Sequence, residues 1–175
     1  AQLSRGLGDV YKRQGSGGFE IGLWGSFPTT AGGGGNELDA YVSYDFGPLA
    51  LTVTNYTFPD GDGTYSSGGF FEGDLEISAS TEIGGLSLMG GYFPDLETLY
   101  IEAGFGLGDV DFAIGFGSDS ADAFYVGAGE SAICNVSFGY SKEIKITDDY
   151  SLPLFSSFIF NPKSEAAFIV FGASF

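Results

Sequence analysis

The sequence predicts an all-β protein, an up-and-down antiparallel β-barrel that crosses a membrane with its strands. Three observations carry this prediction. Apolar residues come in short runs that alternate with polar ones at period two, in a chain of 175 residues with 30 glycines and 17% aromatics. No run approaches the roughly 18 to 20 continuous apolar residues of a spanning helix, so any span has to be built from strands. The connections alternate between short and long, as they do where tight turns face the periplasm and longer loops face outward.

The first fourteen residues, A-Q-L-S-R-G-L-G-D-V-Y-K-R-Q, have neither the alternation of the rest nor the apolar core of a signal peptide. They read as a tail, at 1–14, preceding a barrel domain at 15–175, and Gly6 to Gln14 resembles a translated sequencing-adapter tail. Ten strand-like runs follow. The first, 18–27, turns Glu20, Gly22 and Trp24 to one face and leads into the long link P-T-T-A-G-G-G-G-N at 28–36. The second, 37–46, sets Leu38, Ala40, Val42, Tyr44 and Phe46 against Glu37, Asp39, Tyr41, Ser43 and Asp45, and Gly47-Pro48 turns it into the third, 49–58. After the long 59–69 link, the fourth run, 70–83, sets Leu75, Ile77, Ala79, Thr81 and Ile83 against Asp74, Glu76, Ser78, Ser80 and Glu82.

Gly84-Gly85 and an intermediate link at 94–97 bracket the fifth run, 86–93. The sixth, 98–107, carries Leu99, Ile101, Ala103, Phe105 and Leu107 opposite Tyr100, Glu102, Gly104 and Gly106, before the short Gly108-Asp109. The seventh, 110–117, leads into a long link at 118–130. In the eighth, 131–145, Lys142 falls on the apolar face near the short-turn end, where its stem lies along lipid and its ammonium reaches the interface. A turn at Thr147 to Asp149 gives the ninth, 150–160, and 161–165 gives the tenth, 166–175, with Ala167, Ile169, Phe171, Ala173 and Phe175 on one face.

A soluble sandwich also alternates, but it does not need one face free of charge along each strand. The apolar faces of the second, fourth and sixth runs carry no charge at all. Strand ends carry Phe27, Tyr44, Phe46, Tyr92, Tyr140, Tyr150, Phe160 and Phe175, which suit interfacial aromatic girdles. A secreted soluble β-domain is therefore disfavoured.

Chemistry is constrained mainly by what the sequence lacks. With no histidine, a Ser-His-Asp triad and a His-ligated zinc site are impossible within this chain. Asp74 and Glu76 share a face with other acids and read as a polar wall rather than an acid–base pair. D-G-D-G at Asp60 to Gly63 opens like a calcium loop, but Tyr65 stands where glycine is needed and Phe71 where glutamate is needed. G-F-G-L-G at Gly104 to Gly108 precedes no helix and is no phosphate cradle. Cys134 stands alone, a small apolar filler. The expectation is a protein that is not an enzyme, with no cofactor and no metal site. Net charge is −17, and three of the six cations, Arg5, Lys12 and Arg13, lie in the first fourteen residues. That balance argues against nucleic acid as a partner.

Two stretches carry a family resemblance. G-F-E-I-G-L-W-G-S (Gly18 to Ser26) followed by E-L-D-A-Y-V-S-Y (Glu37 to Tyr44), and S-K-E-I-K-I-T-D-D-Y-S-L-P-L-F (Ser141 to Phe155) with I-F-N-P-K and F-I-V-F-G-A-S-F, resemble the TorF-type porins of Gram-negative outer membranes. The resemblance implies a bacterial outer-membrane location and a complete barrel of about twelve strands, two of them and a signal peptide preceding the stretch matched here. The last strand, closing on Phe171 and Phe175, resembles the terminal signal strand through which the barrel-assembly machinery engages such proteins. The expected surroundings are outer-membrane lipid outside and small solutes or cations within.

The inward acids Glu20, Asp39, Asp74, Glu76, Glu102 and Glu143 have almost no basic partners, so the interior is expected to be hydrated. Asp39, Asp74, Glu76 and Glu102 fall in the outer half and form the expected selectivity feature, favouring cations. Small inward residues such as Gly22, Gly104 and Gly115 leave space, whereas Trp24, Tyr41 and Tyr100 obstruct it. The two functional expectations are thus a passive, cation-preferring porin and a structural or surface-interaction barrel with a blocked lumen.

Overall fold

Eleven strands follow one another: β1 (Leu7–Ser16), β2 (Phe19–Pro28), β3 (Glu37–Asp45), β4 (Ala50–Thr57), β5 (Asp74–Ile83), β6 (Leu86–Phe93), β7 (Thr98–Leu107), β8 (Val110–Asp119), β9 (Ser131–Lys145), β10 (Ser151–Asn161) and β11 (Ala166–Ala173). The computed structural model describes residues 7–28, 36–59, 69–120 and 123–173, and among them there is no helix. Each strand lies beside its neighbours in sequence, giving one antiparallel up-and-down sheet in the order β1 to β11. The sheet is not closed, and β1 and β11 stand at the two ends of that order.

This topology follows from the connections, all but that between β4 and β5 being too short for a crossover between parallel strands. At Gly17-Gly18 and Gly84-Gly85 both residues have positive φ, 62° and 87° in the first pair and 60° and 83° in the second. Two left-handed residues in a two-residue loop match the twist of the strands they join, and glycine adopts that conformation without a Cβ clash.

Ten of the strands lie where alternation predicts them. The prediction of ten strands needs correction nonetheless, because residues 7–16, of which 7–14 lie in the stretch read as a tail, form β1. It pairs with β2 from Leu7 opposite Pro28 to Ser16 opposite Phe19. A ladder is made by backbone groups, so a segment without amphipathic alternation completes an edge as well as any other. The fourth run also begins later than predicted, at Asp74. Residues 70–73 form a turn in which Asn55 Nδ2 donates to the Phe70 carbonyl at 2.7 Å.

The chain divides into two compact units, Ala1–Thr81 with Gly90–Leu99, and Glu82–Met89 with Tyr100–Phe175. In the first, Ile21, Leu23, Val42, Val53, Leu75 and Ile77 are exposed on one face, Ile77 at 50%, while Glu37, Asp39 and Glu76 are buried on the other. In the second, Ile101, Phe105, Ile114, Phe138 and Ile169 are exposed, and Tyr100, Val126 and Cys134 form a small buried cluster. In each unit the apolar side chains thus stand on the exposed face, and in the first unit three acids are buried on the opposite one. The predicted girdle residues Phe27, Tyr44, Phe46, Tyr92, Tyr140, Tyr150 and Phe160 are exposed near strand ends, and Phe175 lies outside the described residues.

On the inward faces, aromatic rings lie over glycines. Tyr41 stands directly opposite Gly22, and a Cβ on Gly22 would overlap its ring. Tyr100 occupies the space over Gly115, and Phe155 the space over Gly172. Each ring covers backbone that glycine leaves bare. Gly22→Ala should therefore push Tyr41 aside and destabilise the folded state by about 1–3 kcal/mol, measured by urea unfolding in detergent micelles. An unchanged midpoint would show that the ring moves at no cost.

Candidate functional site

Burying a carboxylate is costly unless hydrogen bonds or a counter-charge satisfy it, so each inward acid can be judged by what touches it. In the first unit Tyr41 Oη donates to Glu20 Oε1 at 2.6 Å, across the β2–β3 pair. Tyr56 Oη donates to Glu76 Oε2 at 2.9 Å, across β4–β5, and the Tyr56 ring packs on Phe93 with centroids 5.4 Å apart. Glu76 is 7% exposed, and its other oxygen fills the space where a Cβ on Gly91 would stand. Asp39 is 5% exposed and lies directly opposite Trp24 on one side and Tyr56 on the other. Asp74, also opposite Tyr56, is half-buried.

In the second unit Tyr100 Oη donates to Glu102 Oε2 at 2.5 Å, and Asn135 Nδ2 donates to the same oxygen at 2.8 Å. Asn135 reaches inward because of a bulge. Gly115 pairs with Asn135 but Phe116 pairs with Ile133, which leaves Cys134 as an extra residue. The bulge turns Cys134 and Asn135 to the same side, where Cys134 packs with Tyr100 and Asn135 bonds it. Beside this cluster is a recess of about 540 Å³ whose lining includes Glu82, Glu102, Asp111, Ser87, Gly104 and Gly139.

The predicted selectivity set is thus divided. Asp39, Asp74 and Glu76 belong to the first unit, and Glu102 belongs to the second with partners of its own. Tyr41 and Tyr100, expected to obstruct, also donate to carboxylates. Glu143 is exposed on β9. Phe171 is 77% exposed on β11, and Phe175 lies outside the described residues, as does the D-G-D-G run at 60–63.

Three features were missed in the sequence. Tyr56 is a polar-face aromatic whose partner sits one strand away, a pairing readable only once register is known. Asn135 is displaced by the bulge. The third is the link after β8. Asp119 Oδ2 accepts the backbone N–H groups of Phe124, Tyr125, Val126 and Gly127 at 3.0, 2.8, 2.8 and 3.0 Å. This gathers the loop against the inward face of its own unit. The Tyr125 ring lies 5.0 Å from that of Tyr100, over Gly117, and Val126 is buried. Lys163 pairs with Glu130 at 2.5 Å at the far end of the loop.

No family model matches the chain, and no curated protein sequence matches it.

Asp119→Ala should release this loop, since it strands four amide donors, that of Val126 in a buried residue. Hydrogen exchange at residues 124–127 should accelerate by about 10- to 100-fold while the β9–β10 ladder keeps its protection. Uniform acceleration through both segments would mean that Asp119 supports the whole unit rather than the loop.

Proposed function

We propose that the chain is an outer-membrane β-barrel of the porin type, passing small solutes with a preference for cations. One observation carries this reading, the inversion of polarity within each unit. Aliphatic and aromatic side chains cover the outer face, while Asp39, Glu76 and Glu102 sit on the inner one. In water an apolar surface of that extent favours aggregation, whereas in hydrocarbon it is the required surface. Exposed aromatics near the strand ends suit the two interfaces. The resemblance to TorF-type porins points the same way. Hydrocarbon tolerates no unpaired edge, so this reading requires both β1 and β11 to find partners in the bilayer. For β11, whose outer face carries Phe171, the barrel-assembly machinery is the expected partner during insertion.

A second reading, a barrel with a blocked lumen that serves a structural or surface-interaction role, is favoured by the loop that Asp119 holds on the inward face of the second unit. The two readings predict different electrical behaviour.

Two experiments test the proposal. Ile101→Arg, at an outward position 47% exposed, should destabilise the protein in lipid vesicles by roughly 2–4 kcal/mol, and Ser157→Arg, facing the recess, should cost much less. Equal losses in denaturant titrations would argue for a sheet buried on both sides. In planar bilayers under a salt gradient, the reversal potential should report cation preference, weakening as salt shortens the screening length below about 10 Å. The quadruple variant Asp39→Asn, Asp74→Asn, Glu76→Gln, Glu102→Gln should lose it. Anion preference, or a variant with unchanged selectivity, would remove the acids from the mechanism. Absence of any conductance would favour the blocked lumen.

A further inference from the structure

We infer that the inward face of the first unit holds one monovalent cation at Asp39. The inference rests on the reading above, in which that face is a wet lumen, and it names the position where a permeating ion pauses.

The argument begins with an oxygen atom. Asp39 is 5% exposed, and its Oδ1 has no hydrogen-bond partner. The carboxylate accepts the backbone N–H of Thr57, and two hydroxyls close to it are turned elsewhere. Tyr56, directly opposite on β4, gives its hydroxyl proton to Glu76, and the Thr57 hydroxyl donates to the Leu38 carbonyl. Among the described residues, the charged groups acting on Asp39 are of its own sign. Glu37, two residues earlier on the same face and itself buried, and Glu76 both repel it. An anionic oxygen withdrawn from water, without a donor and beside two further carboxylates, is costly to bury unless positive charge occupies the space in front of it.

The chemistry of the surroundings selects the class of ion. Calcium takes six to eight oxygen ligands, and transition metals take convergent His, Cys or carboxylate sets. Among the described residues no group of three or more His, Cys, Asp or Glu side chains is placed to hold a metal ion. One free carboxylate oxygen completed by water suits sodium, potassium or a small ammonium ion, held loosely enough to leave again.

The chain carries its own reporter, because its single tryptophan, Trp24, stands directly opposite Asp39 on β2. Thallous ion is a potassium-sized heavy ion that quenches indole fluorescence on close approach. In protein refolded into zwitterionic detergent micelles, at constant ionic strength with nitrate salts, thallous ion should quench Trp24 with a saturable component that potassium reverses. Asp39→Asn, which keeps the side-chain shape, should weaken that component about tenfold, whereas Glu143→Gln should leave it unchanged. Quenching of the wild-type protein that rises linearly and never saturates would overturn the site, and would fit an Asp39 that is simply protonated. The wild-type curve decides this even if Asp39→Asn fails to fold. A saturable component that survives in folded Asp39→Asn would overturn it too. Because the fluorescence needs no conductance, the two proposals fail separately. Saturable quenching without current sinks the channel and leaves the site, and cation-selective current with linear quenching sinks the site alone.

Discussion

Hydrogen bonding of carboxylates by phenol groups is the interaction on which the inward faces depend. Glu20, Glu76 and Glu102 each accept a hydrogen bond from a tyrosine, Tyr41, Tyr56 and Tyr100 respectively. A phenol ionises near pH 10, so at neutral pH it donates a hydrogen bond and brings no positive charge. A lysine or arginine in its place would hold the carboxylate equally well but cancel its field. Tyrosine fixes each acid in position without bringing a positive charge of its own. In a chain with net charge −17, acids held this way need water or counter-ions within reach.

Tyrosine is large, and the abundance of glycine follows from that. The Tyr41 ring lies where a Cβ on Gly22 would be, the Tyr100 ring where one on Gly115 would be, and a Glu76 oxygen where one on Gly91 would be. In each case a strand gives up its side chain so that a neighbouring polar group can lie flat against the backbone. Glycine weakens an isolated strand, but here the covering ring shields the ladder it exposes. The reading of small inward residues as open space was thus half right. Gly22 and Gly115 are filled by rings, whereas Gly104 and Gly139 border the recess of the second unit.

How much of this was legible in the sequence depended on whether a feature is carried by side-chain period or by the backbone. Period two placed ten strands and assigned Ile77, Ile101 and Phe105 to the outer face, because alternation is a direct consequence of the pleat. β1 escaped it, since pairing of residues 7–16 uses backbone groups and its side chains follow no pattern. The available signal was Gly17-Gly18, a glycine pair of the same kind as Gly84-Gly85, which had been read correctly as a hairpin turn. Asn135 escaped because a one-residue bulge inverts the parity on which face assignment rests. The acidic set is divided between the two units, because sequence shows which face a residue takes and not which company it keeps along the sheet.

The loop after β8 bears on which function the inward face can perform. A gate must move at modest cost, yet this segment hangs from a single buried carboxylate that accepts four consecutive amides, and it buries Val126 with Tyr100 and Cys134. Opening it would break all four bonds together and expose that apolar cluster, so the loop behaves as a fixed wall of its unit rather than a lid. A fixed wall does not by itself close a path. The recess beside it remains open, with Glu82, Glu102 and Asp111 among its lining groups. What the loop does is set the Tyr125 ring against Tyr100, whose hydroxyl donates to Glu102, so that a rigid segment packs on the residue that fixes this acid in place.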